Sequence, residues 1–346
     1  MIQKAIVKVT EGRDLDEREA FEVMEAIMGD RVTPAQVGAF LTALKMKGES
    51  VAEITGCAKA MRQAAVTIGP FEGPVVDTCG TGGDYKGTFN ISTVAAFVAA
   101  GAGVRIAKHG NRSVTSRCGS ADLLEGLGIA VDVPADVVAR SIEEVGIGFL
   151  FAPAFHPAMR HAAGPRRELG FRTIFNLLGP LTNPAGATSQ VMGVFAEGWV
   201  EPLAQVLGRL GVDRALVVHG SDGLDEITVY GPTVVSELKE GEINSYNIEP
   251  KSLGLRAADD PEAVRGGDVE TNAAIARAVL DGEPGPRRDI VLANAGAAIY
   301  CAGGASTLAD GVARAAEAID SGAAAGVLAR LRTFSLEAVA AHEETA

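Results

Sequence analysis

Aromatic residues are scarce in this chain: 1 Trp, 4 Tyr and 12 Phe make up 5% of 346 residues. With Ala abundant and 42 Gly present, that scarcity points to closely packed helices and tight turns. Basic residues are also in deficit, 31 Lys+Arg against 44 Asp+Glu, for a net charge of −13. This excludes nonspecific binding to nucleic acid or an anionic membrane, which needs a basic face. The cysteines Cys57, Cys79, Cys118 and Cys301 lie far apart, with no CxxC and no paired metal spacing, so they read as reduced thiols of a cytoplasmic protein. No stretch reaches the ~18 apolar residues that span a bilayer, and Met1–Ala5 opens no signal segment. A Gly-x-Ser-x-Gly elbow, a His-Glu-x-x-His pair and a cysteine with an obvious base are missing too. The chain is not built to attack through its own nucleophile.

What is present begins with size. A chain of 346 residues exceeds what one core usually serves, so two domains are expected. Asp14…Glu17, Thr33-Pro-Ala-Gln36 and Ser50-Val-Ala-Glu53 match helix-start boxes, and apolar residues follow at helical spacing, as in Val37, Phe40, Leu41 and Leu44. Residues 1–70 therefore read as a small helical domain. After Gly69–Pro74 the pattern alternates. Expected strands are Val75-Val76, Val104–Ala107, Ile129–Val133, Ile147–Phe151, Gln190–Phe195, Ala215–His219 and Ile290–Leu292, separated by helical lengths. The fold class is α/β: a mainly parallel central sheet flanked by helices over residues 71–346, with the smaller all-helical domain beside it. His156–Pro184 interrupts the alternation and reads as helix, turn and loop packing back against the N-terminal helices, a hinge between the two domains, with about 160–185 joining the helical domain.

Ligands of such sheets bind beyond the carboxyl ends of the strands. Two turns expected there carry the chemistry. In Asp77-Thr-Cys-Gly-Thr-Gly-Gly-Asp84, Gly80, Gly82 and Gly83 let the backbone aim N–H groups at an anion. A structural tight turn is the competing explanation. The spacing is neither a dinucleotide fingerprint nor a Walker loop. Asn90-Ile-Ser-Thr93 then opens a helix whose N–H groups and hydroxyls suit a second anion, plain N-capping by Asn90 being the alternative. Lys108-His-Gly-Asn-Arg112 places two cations within one short turn, suited to pyrophosphate, and Ser113, Thr115, Ser116 and Ser120 add hydroxyls. Asp225 and Glu226, in Asp222-Gly-Leu-Asp-Glu226, are hard oxygen ligands appropriate to Mg2+, with an acidic surface turn as rival. A metal and a cluster of cations would let a polyphosphate enter an acidic protein.

Taken in order, Gly80–Asp84, Asn90–Thr93, Lys108–Arg112, Gly119-Ser-Ala-Asp122, His156-Pro-Ala-Met159, Arg172–Pro184 and His219–Glu226 resemble the anthranilate phosphoribosyltransferases over most of the chain. The resemblance implies the nucleoside phosphorylase/phosphoribosyltransferase-like fold and a homodimer formed through the helical part. It implies a pentosyltransferase of tryptophan biosynthesis that moves phosphoribosyl from 5-phosphoribosyl 1-pyrophosphate to anthranilate. Carried over by motif, Gly80, Gly83, Asp84, Thr88, Asn90, Ile91, Ser92 and Thr93 would hold phosphoribosyl pyrophosphate. So would Lys108, His109, Gly110, Asn111, Arg112, Ser113, Val114, Thr115, Ser116 and Ser120. Ser92, Asp225 and Glu226 would hold magnesium. Asn111 and Arg166 would receive anthranilate, Arg166 pairing with its carboxylate, and Lys108, His109 and Arg166 would be the catalytic set. Thr115 stands where serine is more usual, and Cys118 is at a variable position. A pyrimidine nucleoside phosphorylase is the nearest rival enzyme, but it would need no magnesium. A non-catalytic nucleic-acid-binding relative would need a basic surface.

Overall fold

The structure, a computed structural model, describes residues 1–113 and 117–343. Four helices open the chain: α1 (Ile2–Thr10), α2 (Glu17–Met28), α3 (Pro34–Lys47) and α4 (Val51–Gln63). Thr33 and Gln36 exchange side-chain and backbone hydrogen bonds at the start of α3, as Ser50 and Glu53 do at α4, with Pro34 where its missing N–H is no loss. The box before α2 is Asp16 with Glu19, two residues later than the Asp14…Glu17 pattern suggests. Glu53 is fully buried, and it also accepts the Leu15 N–H (3.0 Å) and the Lys47 ammonium (2.9 Å), so one carboxylate caps a helix and ties two turns together.

The α/β part runs β1 (Val75–Gly80), α5 (Ile91–Gly101), β2 (Arg105–Gly110), α6 (Ser120–Gly126), α7 (Ala135–Glu144) and β3 (Ile147–Phe151). Short helices α8 (Ala152–Phe155), α9 (Arg160–Leu169) and α10 (Phe175–Leu178) lead to β4 (Ser189–Gly193), α11 (Val200–Arg209) and β5 (Arg214–Gly220). A hairpin, β6 (Thr233–Lys239) and β7 (Glu242–Ile248), precedes α12 (Val269–Leu280), α13 (Pro286–Cys301), α14 (Leu308–Asp320) and α15 (Ala323–Glu343). The seven-stranded sheet has the order β3-β2-β1-β4-β5-β6-β7. Strands β1 to β5 are parallel, and β6 and β7 close one edge antiparallel.

From β1 the chain moves outward to β3, then returns beside β1 as β4. That reversal opens the crevice in which ligands of such sheets bind. One face of the sheet packs on α5 and α13, both buried almost all round. The other supports a core shared by Phe40, Leu44, Ile54 and Met61 of the first four helices, Phe175 and Leu178 of α10, and Leu203 and Leu207 of α11. Among the described residues no helix is long and apolar enough to cross a membrane.

Two expected strands are absent and two unexpected ones are present. Ile129–Val133 is an irregular segment following α6 that buries Ile129 and Val131, and Ile290–Leu292 lies inside α13. Short apolar runs do not distinguish a strand from a buried helix by periodicity. The hairpin escapes a search for apolar runs because β7 is largely polar and exposed. Its signal is Glu240-Gly241, both at positive φ, the two-residue turn that matches strand twist.

Candidate active site

The glycine turn after β1 is fastened residue by residue. Thr81 donates its N–H to the Gly193 carbonyl (2.9 Å) and accepts the Phe195 N–H at its hydroxyl (3.0 Å). The Gly82 N–H donates to Asp225 Oδ2 (2.7 Å), and the Gly83 carbonyl accepts from the Arg172 guanidinium. Gly82 and Gly83 sit at φ +65° and +76°, conformations that favour glycine. Asp84 accepts the Lys86 N–H (3.1 Å), and Thr88 pairs with Arg265 across an isolated bridge.

The N-terminus of α5 does not stand open, contrary to the sequence expectation. Ile91 donates to the Phe89 carbonyl (2.7 Å), Thr93 to the Asn90 carbonyl (3.1 Å) and Ser92 to Glu226 Oε1 (3.2 Å). A carboxylate of the chain itself meets the positive end of this helix. Asn90 does not cap with its side chain; it donates to the Cys118 carbonyl (3.1 Å) and accepts from Asn272 (2.9 Å).

Glu226 and Asp225 follow β5 on the turn Asp222–Glu226. Burial pushes the Glu226 carboxyl up to about 7, the charge of Lys108 pulling down and that of Asp84 pushing up. Burial drives Asp225 well above the usual carboxylate range, and the charges of Asp84 and Glu226 add to the rise. Buried carboxylates crowded together are short of positive charge. Among the described residues no three His, Cys, Asp or Glu side chains form a ready-made metal cage. Mg2+ asks for less, usually one or two carboxylates with waters and substrate phosphates completing its shell. The donor set therefore fits it.

Lys108 and His109 lie within β2 rather than on the turn after it, and both are buried. The sequence expectation places them too late because their charge ends the apolar run. The Lys108 ammonium donates to the Thr78 carbonyl and to Ser92 Oγ (3.3 Å). Its burial lowers its pKa, against the raising charges of Asp77 and Glu226. Register pairing of β1 with β2 stops at Val76↔Ile106. Beyond that point side chains bridge the strands: the His109 N–H donates to Asp77 Oδ1 (3.2 Å), and Asn183 donates to the Ala107 carbonyl (2.8 Å).

The His109 ring stands 5.0 Å from that of His156. Burial lowers both, His109 to about 3 and His156 to about 4, so both are neutral near pH 7. His109 Nδ1 faces the Gly179 carbonyl at 3.2 Å, and because a carbonyl only accepts, the proton sits on Nδ1. The Nε2 atoms of both rings are buried without a protein partner.

Both histidines line a cavity of about 520 Å3 bounded by Met61, Pro153, Met159, Arg166, Phe175 and Asn176, with Gly80, Thr81, Gly110 and Asn111 also in its wall. Arg166, half-buried near the end of α9, has its guanidinium 4.9 Å from the centre of the Phe175 ring, and burial lowers its pKa. The structure thus brings Gly80, His109, Gly110, Asn111 and Arg166 to one cavity. Arg112 is turned elsewhere: it pairs with Glu125 and Asp122 of α6 and lies exposed over Phe151. Ser113 donates its N–H to Asp122 (3.0 Å), and Ser120 bonds the Asn111 carbonyl (3.1 Å). Val114, Thr115 and Ser116 lie outside the described residues. Sequence reasoning gives no part to Arg172, Asn183 or Asn272, whose neighbours are distant in sequence.

Residues 72–325 match the glycosyl transferase family a/b domain, and residues 3–65 match the helical bundle domain of the same family. Anthranilate phosphoribosyltransferase of Moorella thermoacetica is 58% identical over 95% of this chain and 96% of its own. The crystal structure of the Thermus thermophilus enzyme superposes with a TM-score of 0.91 at 50% identity, over 95% of this chain and 98% of that one. The Saccharomyces cerevisiae enzyme in complex with PRPP and Mg superposes at 0.87 with 27% identity, over 97% and 98% of the two chains. Likeness at these levels spans both the glycine turn and the helices that wall the cavity, and by it the chain belongs to the anthranilate phosphoribosyltransferase family.

Proposed function

We propose that the chain transfers the phosphoribosyl group of 5-phosphoribosyl 1-pyrophosphate to the amine of anthranilate, releasing pyrophosphate, as a step of tryptophan biosynthesis. The observation that carries this reading is the cavity shared by Arg166, the neutral His109–His156 pair and the root of the glycine turn. It offers an aromatic carboxylate a cation at one end and a phosphoribosyl carbon at the other.

The chain's own groups account for most of the chemistry. The buried Lys108 ammonium places positive charge beside Ser92, where the departing pyrophosphate would gather negative charge. Mg2+, held by Ser92, Asp225 and Glu226 together with substrate oxygens, would supply further neutralisation of that leaving group. An aromatic amine is unprotonated at neutral pH, so it needs orientation more than a strong base. Arg166 would fix the acceptor carboxylate, and His109 Nε2, a neutral lone pair without a protein partner, would accept an amine N–H. As the C1–oxygen bond breaks and the C1–nitrogen bond forms, pyrophosphate takes the C1–oxygen bonding pair, and the proton of the product amine is released to bulk water.

To the same reading belong a cytoplasmic location, a hinge between 1–70 with 160–185 and 71–346, and a homodimer through the helical part. On that part Met46 is 83% exposed and Val7 54%. The test is loss of anthranilate fluorescence on mixing protein, phosphoribosyl pyrophosphate and Mg2+, repeated with EDTA. Metal-dependent loss supports the assignment. No loss with folded protein favours the pyrimidine nucleoside phosphorylase, tested with thymidine and phosphate.

A further inference from the structure

We infer that Arg172 is a positioning residue: a planar clamp that sets the Gly83–Asp84 peptide so that the Asp84 N–H is aimed at the pyrophosphate. The inference rests on the phosphoribosyl reading above, but it concerns a residue outside every motif role assigned there. Arg172 precedes α10, in the segment that contributes Phe175, Asn176 and Gly179 to the acceptor cavity. Its guanidinium leaves that segment and reaches the glycine turn. There it lies 4.3 Å from the Phe195 ring centre and 5.0 Å from that of Tyr85, while donating to the Gly83 carbonyl. One planar cation is therefore held between two aromatic rings and bonded to one peptide.

The peptide unit makes this contact consequential. In a trans peptide the carbonyl and the next residue's N–H point in opposite directions across one rigid plane. Fixing the Gly83 carbonyl against Arg172 directs the Asp84 N–H away from it, and among the described residues that N–H has no protein acceptor. Without the clamp the turn is poorly determined, since Gly82 and Gly83 both adopt positive φ and glycine carries the largest backbone entropy. The other anchors act earlier: Thr81 is held by Gly193 and Phe195, and Gly82 by Asp225. Among the described residues, only Arg172 reaches the peptide that follows. Its second wall, Phe195, is the residue whose N–H binds the Thr81 hydroxyl, so clamp and anchor share a support. A turn ordered beforehand binds its anion without the ordering penalty.

The test uses the full chain and two probes. Pyrophosphate with Mg2+, titrated calorimetrically, reads the turn alone; steady-state kinetics read each substrate separately. Arg172→Met is expected to weaken pyrophosphate and raise the KM for phosphoribosyl pyrophosphate by ~10-fold, the scale of one lost charge-assisted hydrogen bond, with the anthranilate KM within twofold. Arg172→Lys keeps the charge but loses the flat sandwich, and recovers less than half of that loss. Tyr85→Leu, at a site 74% exposed and so safe for folding, costs ~2–4-fold in the same constants. Unchanged pyrophosphate affinity in Arg172→Met overturns the inference. So does full rescue by lysine, which would make Arg172 a simple counter-charge, or an equal rise in both KM values with a lowered Tm, which would make it merely structural. If wild-type protein does not consume anthranilate, the functional reading fails, while the pyrophosphate titration still decides the clamp.

Discussion

The two walls of the crevice treat ionisable groups in opposite ways. On the phosphate wall, Asp225 and Glu226 are half-buried together near Asp84, and loss of solvent with mutual repulsion leaves their carboxyls well above their ordinary range. On the acceptor wall, His109 and His156 are more deeply buried, and burial keeps them neutral and leaves their Nε2 atoms without protein partners. Burial disfavours the charged form on both walls. In the proposed reaction the difference lies in what each wall would receive: Mg2+ would satisfy crowded carboxylates, whereas an aromatic amine needs an uncharged, shaped surface. Desolvation of different groups thus prepares one wall to gain positive charge and the other to exclude charge.

The comparison breaks most visibly at Lys108, the fixed cation of the phosphate wall. Lys108→Met is expected to lower kcat by ~100–1000-fold, the usual scale for removing one preorganised stabiliser of developing charge, with the anthranilate KM little altered. Steady-state fluorescence assays check this; an intact kcat would move the burden to other groups. Next comes Arg166 on the opposite wall. Arg166→Ala should raise the anthranilate KM ~10–100-fold and spare phosphoribosyl pyrophosphate, as expected for loss of one or two charge-assisted hydrogen bonds. Equal loss for both substrates would count against the division into walls.

Stability measurements sharpen the contrast with smaller effects. The folded Glu226 carboxyl titrates near 7 against an ordinary 4.5, so the folded form binds this proton more readily and stability declines as pH rises from 4.5 through 7. Glu226→Gln removes that cost and should stabilise the metal-free protein at pH 8 by about 1–3 kcal/mol while impairing turnover. The histidines have the opposite sign. Their ordinary value is 6.5, and burial lowers them to about 3 and about 4, so their contribution is complete above pH 6.5 and is lost as pH falls toward 4. Over pH 7 to pH 4 the histidines and the raised carboxyls act in opposite directions, so the readout is the difference between proteins: His156→Asn should lose less Tm on acidification than the wild type. Identical slopes would mean that other groups dominate acid unfolding.

Much of this site is legible in the chain because its chemistry is local. The glycine turn, the Lys108–Arg112 run and Asp225-Glu226 are short, contiguous and rich in groups that a core has no use for. Legibility fails where a role depends on partners far away in sequence. Nothing near Arg172 announces that it will meet Gly83, and Asn183 gains meaning only where β1 and β2 cease to pair. The expectation for α5 fails in part for the same reason, since the Ser92 N–H is met by the distant Glu226 while Ile91 and Thr93 donate to nearby carbonyls. Arg112 illustrates the converse: its charge suggests a phosphate, but Glu125 and Asp122 lie one loop away and take it.

The sequence by itself determined the helical beginning and the parallel α/β alternation, and it supplied the candidates for handling phosphate, because helix caps, apolar periodicity and turn chemistry act over a few residues. Tertiary structure alone decided three things: that Ile290–Leu292 becomes helix, that the β6–β7 hairpin closes the sheet, and that some charges face the crevice while others face neighbouring helices. A short apolar segment takes its form from the surface that buries it, and a long charged side chain follows the nearest opposite charge or open acceptor. Both are set only when distant segments meet.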